Sequence, residues 1–435
     1  MFEFNFVDAL YIALLSVTVP VLVNRYLSGP RFSPLVRRWA MAGGILWMLY
    51  AAFSELIADS FMGVPWMDAW YHDYWARQLL EGINRGDWNR FWDHFQTGNH
   101  AYHCYITLLY YTGASIYTPT AINGWLAFWA GLILAYHFGA FCPFPKDRLF
   151  LLFWTVFCPS VLFWCTINLK ESIMYWAVAN VLAVSFVQKG KNYSAPRIVL
   201  TGVSILAGAM LRPHIVVGWI LAVAGVNILQ RGRRILAFGV LLCLPLVFVS
   251  MQRIVPVDTS QEAQEIAERH FQTLQRIKDQ GSKIASEEDK PVFFFSGFVS
   301  AFFRPFPWEV RSVRTVAGSL EVWTMTLLIF FAWYNLKRPE RRFILRLPMI
   351  RVALLGVLWM CVLLSYYPNE GLMLRQRVQM IPGLLALAVL PASVRSLARM
   401  KEESQKKALI AAYFKTPDST PPRLRTPVRR PIRTT

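Results

Sequence analysis

Three aspartates, Asp68, Asp73 and Asp87, stand among five aromatic residues in the stretch 67–88, MDAWYHDYWARQLLEGINRGDW, shortly after an apolar run. A carboxylate held beside a bilayer is suited to taking a proton from a hydroxyl, provided that nearby cations receive the charge that leaves. Such cations occur elsewhere in the chain, each next to an apolar run. Lys170 and Glu171 follow Pro159 in CPSVLFWCTINLKES, Arg212 lies in MLRPH, Arg304 follows FFFSGFVSAFF, and Arg375 and Arg377 form the Arg-Gln-Arg of YYPNEGLMLRQRVQMIP. Arginine forks match phosphate oxygens. The pattern therefore points to Asp68 as a base, with Lys170, Glu171, Arg212, Arg304, Arg375 and Arg377 binding a phosphate-bearing substrate. No nucleotide-binding glycine loop, nucleophile elbow, metalloprotease motif or Asp-x-Asp pair points to another reaction, and the reading requires neither metal nor cofactor.

These residues need a frame. With 55% hydrophobic residues in repeated long apolar runs, the chain reads as an all-α, polytopic integral membrane protein of about eleven transmembrane helices. The runs are 9–24, 39–57, 120–141, 149–165, 172–188, 196–211, 214–230, 234–251, 317–336, 352–367 and 378–395. Residues 1–57 give the first two helices, 58–119 a first large outer loop, 120–251 a transmembrane core, 252–316 a second outer loop, 317–395 the last helices and 396–435 a basic tail. The run 9–24 has no basic stretch before it and no small-residue cleavage site, so it is expected to remain as a helix.

Short loops rich in Lys and Arg stay cytoplasmic. Placing the N-terminus outside puts most of the 45 Lys and Arg inside and most of the 26 Asp and Glu outside. The net charge of +19 is then a signal of topology and anionic lipid, and not of nucleic acid. The Pro-, Thr- and Arg-rich end, TPDSTPPRLRTPVRRPIRTT, reads as a disordered extension along the membrane. Six cysteines are scattered without C-x-x-C spacing, which favours packing over zinc or disulfides.

Within the first outer loop, Trp70 and Tyr74, and Tyr71 and Trp75, are four apart. A helix is expected from Asp68 to Glu81, with an Arg77–Glu81 pair and an end at Gly82 and Gly86. Trp66, Trp70, Trp75, Trp88 and Trp92 suit the headgroup zone. AYHCYITLLYYTG, residues 101–113, is read as interfacial or re-entrant, since counting it as a span would invert every later loop. Each candidate also has a plainer explanation. Asp68 could serve only as a helix cap, Asp73 and Asp87 as solvated or capping residues, Lys170 and Glu171 as a local pair, and the arginines as headgroup contacts.

The segment from Asp68 through Ala76, Arg77 and Leu80 to Gly86, Asp87 and Trp88 resembles the first periplasmic loop of the glycosyltransferase C superfold. It is similar in particular to the protein O-mannosyltransferase and aminoarabinose transferase type. That resemblance implies a polyprenyl-phosphate sugar donor, a catalytic aspartate at Asp68 and a later acid at Glu171. Arg375, Arg377 and Pro382 resemble a recurring Arg-x-Arg…Pro feature of such enzymes. The chain departs from the pattern at Ala69, where a second acid is common, and at AYHCYITL, where Pro-Pro-Leu is usual. An additional helix also precedes the loop.

An inverting transferase in a bacterial inner membrane is expected, its site facing the periplasm and its acceptor a glycan, lipid or protein. Two other readings stand beside it. The second outer loop with His270 is similar to O-antigen ligases and polymerases, where a late histidine and arginines carry the chemistry. A flippase or an export scaffold would not be an enzyme; spans nearly free of charge, with Glu55 and His137 as exceptions, argue against transport.

Overall fold

Apolar runs between turn residues become helices here, and no strand occurs among the described residues. The computed structural model describes residues 4–29, 32–62, 67–142, 144–185, 195–230, 294–310, 313–364 and 370–415. Among the described residues, five helical stretches are long and apolar enough to cross a membrane: Phe6–Leu27, Tyr117–Gly139, Pro145–Trp164, Val316–Tyr334 and Met373–Gln405. A sixth is added if Arg338–Arg346 and Pro348–Leu364, which meet at 78°, make one span. This is the make-up of a polytopic integral membrane protein. The expected span at 234–251, most of the second large loop, His270 and the last twenty residues lie outside the described residues.

Helices α1 (Phe6–Leu27) and α2 (Pro34–Met62) pack against each other and against α6 (Tyr117–Gly139). The buried carboxylate of Asp8 joins α1 to α6: it accepts from Ser115 N at 2.9 Å, Ser115 Oγ at 2.6 Å and Thr118 Oγ1 at 2.7 Å. Both helices therefore begin at the same end of the bundle. Between α2 and α6, three helices form a small cap at that end, α3 (Met67–Asn84), α4 (Trp88–His94) and α5 (Asn99–Tyr111). At 13 residues α5 is about 20 Å long, too short to span a bilayer.

The cap corrects three expectations. Helix α3 runs through Gly82 and turns at Gly86, whose φ of +82° favours glycine. Arg77 reaches back to Asp73, Nε to Oδ2 2.9 Å, while Glu81 reaches forward to Arg85 at 3.6 Å. Asp73 is not solvated but buried, and it accepts from Tyr110 Oη at 2.6 Å. Burial is possible because the hydroxyl and the guanidinium replace the water a carboxylate would otherwise require. Asp87 does cap a helix, accepting from Arg90 N at 3.3 Å at the start of α4.

The expected run 149–165 is two helices, α7 (Pro145–Val156) and α8 (Pro159–Trp164), broken before Pro159. Val156 stops near the middle of α2, where Trp47 Nε1 donates to its carbonyl at 2.7 Å. Then come α9 (Glu171–Val184), α10 (Ala195–Leu211) and α11 (Pro213–Gln230), with Arg212 and Pro213 at the tight turn between the last two. The remaining helices are α12 (Phe294–Phe303), α13 (Val313–Tyr334), α14 (Arg338–Arg346), α15 (Pro348–Leu364), α16 (Glu370–Arg377) and α17 (Ile381–Lys415). The basic region after 396 is thus helical as far as Lys415. Helices α11 and α15 interlock, Trp219 filling the space over Gly356 and Trp359 that over Gly218, so a side chain at either glycine would collide with an indole.

Candidate functional site

A short non-helical segment, 165–170, lies between α8 and α9 inside the bundle, where its backbone groups have no water to bond. Side chains from two helices take that role. Asn123 of α6 donates through Nδ2 to Ile167 O and Leu169 O, each at 2.9 Å, and Ser54 of α2 donates to Thr166 O at 2.8 Å. Tyr102 of α5 donates to Asn168 Oδ1 at 3.1 Å and accepts from Asn123 Nδ2 at 3.0 Å. Asn123 is six residues into α6, which sets this segment about 9 Å below the helix's end. The segment thus lies within the bundle beneath the cap, and α9 starts from it.

Glu171 opens α9 and is fully buried. Its Oε1 accepts from Arg212 Nη2 at 2.7 Å and from Arg375 Nε at 2.6 Å. Arg212 also donates from Nη1 to Gln376 Oε1, and Lys170 donates from Nζ to Asn99 Oδ1. All three cations are buried. One carboxylate with two arginines and an adjoining lysine makes a group in which positive charge predominates. The second oxygen, Glu171 Oε2, is buried with no hydrogen-bond partner among the described residues. A buried acceptor left open costs stability unless a ligand donates to it. The arrangement can hold an anion at its arginines and receive a hydroxyl at Oε2.

Of the sequence-chosen residues, Lys170, Glu171, Arg212 and Arg375 come together, although Glu171 and Arg375 are 204 positions apart. Arg377 turns toward α12, donating from Nε to Ala301 O at 3.0 Å and from Nη2 to Ser300 O at 3.4 Å. It lines a small apolar cavity with Glu321, Met325, Ile329 and Leu384. Arg304 is half-buried, paired with Glu309 at 3.0 Å and set over Phe306. Asp68 stands in the first turn of α3; its side chain lies outside the described residues.

No protein-family model, curated protein or solved structure matches the chain. Its own geometry is what speaks for the site.

Two features escaped sequence reasoning. Glu321 is buried in α13, where it accepts from Ser160 N at 2.7 Å at the start of α8, so the spans are less free of charge than expected. Its position inside the run 317–336 was the available signal. The other is a set of histidines in the cap. His72 Nδ1 and His103 Nε2 are 2.9 Å apart, His103 Nδ1 and His94 Nε2 3.0 Å, and the His94 and His100 rings lie 4.4 Å apart. Trp75 stacks on His94 and His103. These residues come from three helices, and only the His100/His103 spacing hints at the grouping.

Burial, then the charges of His94, His100 and Lys170, push His103 down to about 3, and burial first of all lowers His72, His94 and His100. The unfolded chain, with histidines at the ordinary 6.5, then binds more protons than the folded one below that value. Stability contributed by the cluster is complete above pH 6.5 and is lost as pH falls toward about 3. The protection of amides in 67–111 against hydrogen exchange, taken relative to the intrinsic rate at each pH, is expected to fall through that window while that of α6 and α9 is kept. Uniform protection of the cap across it would contradict the account.

Proposed function

We propose that the chain is a membrane glycosyltransferase moving a sugar from a polyprenyl-phosphate-linked donor to an acceptor hydroxyl, with inversion. The observation that carries this reading is the convergence of Lys170, Glu171, Arg212 and Arg375 beneath the cap whose first helix Asp68 opens. Glycosyl transfer from a phosphate needs cations where the phosphate departs and a base where the hydroxyl loses its proton. The acceptor oxygen attacks the anomeric carbon as its proton passes to the Asp68 carboxylate. The anomeric carbon–phosphate oxygen bond breaks, and the phosphate leaves with the electron pair, held by Arg212, Arg375 and Lys170. Glu171 Oε2 accepts a hydrogen bond from a sugar hydroxyl.

The same reading includes about eleven spans with the N-terminus outside. The cation cluster, the cap and the starts of α1 and α6 then face the periplasm of a bacterial inner membrane. The acceptor is a glycan, lipid or protein. Glu321 and Arg377 beside the cavity favour a second reading, a lipid-linked-sugar flippase, since buried ionisable residues can line a hydrophilic path. Vesicles containing the protein and radiolabelled polyprenyl-phosphate sugars separate the two. Label moving to an acceptor supports the transferase, whereas translocation of intact donor without transfer supports the flippase and rejects the enzyme.

A further inference from the structure

Helix α14 stands at the far end of the bundle from the cap. Its N-cap, Lys337, donates from Nζ to Glu402 Oε1 of α17 at 2.6 Å. Glu402 is about 30 Å along α17 from Ile381, close to where the chain leaves Arg375 and Arg377, and the hydrocarbon core of a bilayer is about 30 Å thick. A spanning α17 therefore carries α14 to the opposite boundary. There α14 meets α15 at 78°, so with α15 upright it lies almost in the membrane plane.

The nine residues of α14, RPERRFILR, divide between two sides. Arg338, Arg342 and Arg346 are four apart and share one side with Arg341, while Phe343, Ile344 and the C-cap Leu347 share the other. Leu345 is the one apolar residue on the basic side. All four arginines are exposed. The acids beside them are engaged by Lys337, Glu402 through Nζ and Glu340 through the backbone N–H at 2.7 Å, the bond that caps the helix. Among the described residues no carboxylate pairs with the four arginines, and Arg399 of α17 adds a further cation near Lys337. On the apolar side Ile344 is buried against the bundle, yet Phe343 is 55% exposed. The protein thus covers only part of that side.

We propose that α14 is an interfacial binding site for anionic lipid headgroups at the membrane face opposite the cap, which is the cytoplasmic face in the topology proposed above. Guanidinium forks suit headgroup phosphate oxygens, and each basic residue near an anionic surface adds to the attraction. Phe343 enters the acyl boundary, as the apolar side of an in-plane helix does. A second copy of the chain is the poorer occupant of this face, because it would set four arginines against four. The inference stands apart from the glycosyltransferase reading.

Lipid crosslinking tests it. The full chain, with Phe343 replaced by photoreactive p-benzoylphenylalanine, is placed in nanodiscs of equal phosphatidylglycerol and phosphatidylcholine, illuminated and analysed by mass spectrometry. Phosphatidylglycerol is expected to exceed phosphatidylcholine among the adducts at position 343 by about five- to tenfold. The excess should shrink toward parity as salt is raised from about 0.1 to about 1 M. Arg338→Gln, Arg342→Gln and Arg346→Gln combined should abolish it; exposed side chains of this kind contribute little to the fold. The salt series needs no arginine variant, so it decides the matter whether or not that chain accumulates. Protein–protein adducts as the main product, no lipid adduct, or parity between the two lipids at low salt would each overturn the proposal. So would an excess indifferent to salt or to the loss of the three arginines.

Discussion

Asp68→Asn is expected to lower sugar transfer by about 10²–10⁴-fold at matched, folded levels, because an amide cannot take the acceptor's proton in the transition state. Donor binding should change little, since the cations that would hold the phosphate belong to the 165–170 segment and the ends of α10 and α16. The informative measurement is kcat and KM for donor in vesicles, beside a binding assay with unreactive polyprenyl phosphate. A variant that binds donor and does not turn it over supports Asp68 as base. Full turnover by Asp68→Asn would remove that role and leave the enzyme class standing.

Glu171→Gln is expected to cost about 3–5 kcal/mol of stability, because it leaves two buried guanidinium groups without the carboxylate they share. Thermal inactivation of the detergent-solubilised protein should show a large loss. Added pyrophosphate should recover part of it by occupying the arginines, as any ligand that binds only the folded form stabilises it. Arg304→Ala supplies the contrast: its pair with Glu309 is more open, at 22% and 25% side-chain exposure, and partly exposed pairs contribute about 1 kcal/mol or less. Equal losses in the two variants would contradict the buried-network account of Glu171.

Hydropathy made the spanning helices legible, because a 20-residue apolar run has few other fates. Pro159 stands at the break between α7 and α8, and the cations of NLKES, MLRPH and LRQR, each next to an apolar run, marked three segments that do meet. What the chain hid was which of its cations meet. Arg375 and Arg377 are two residues apart, yet one binds Glu171 and the other the end of α12, because successive helical positions point about 100° apart. Asp73 reads as solvated in MDAWYHDYW, since nothing nearby in sequence reveals Tyr110 as its partner. The histidines stayed hidden for the same reason. Their line exists only once α3, α4 and α5 fold over one another.

Trp47 also bears on how the protein is made. The carbonyl it binds, that of Val156, sits where α7 ends in mid-bundle, and an open carbonyl in hydrocarbon costs several kcal/mol. The broken pair α7 and α8 therefore settles only against a second helix already in place. Synthesis from the N-terminus meets that condition, since Trp47 leaves the ribosome 109 residues ahead of its partner. A chain relieved of its first two helices would deliver this pair to the membrane with nothing to receive it, and membrane quality-control proteases would meet it first.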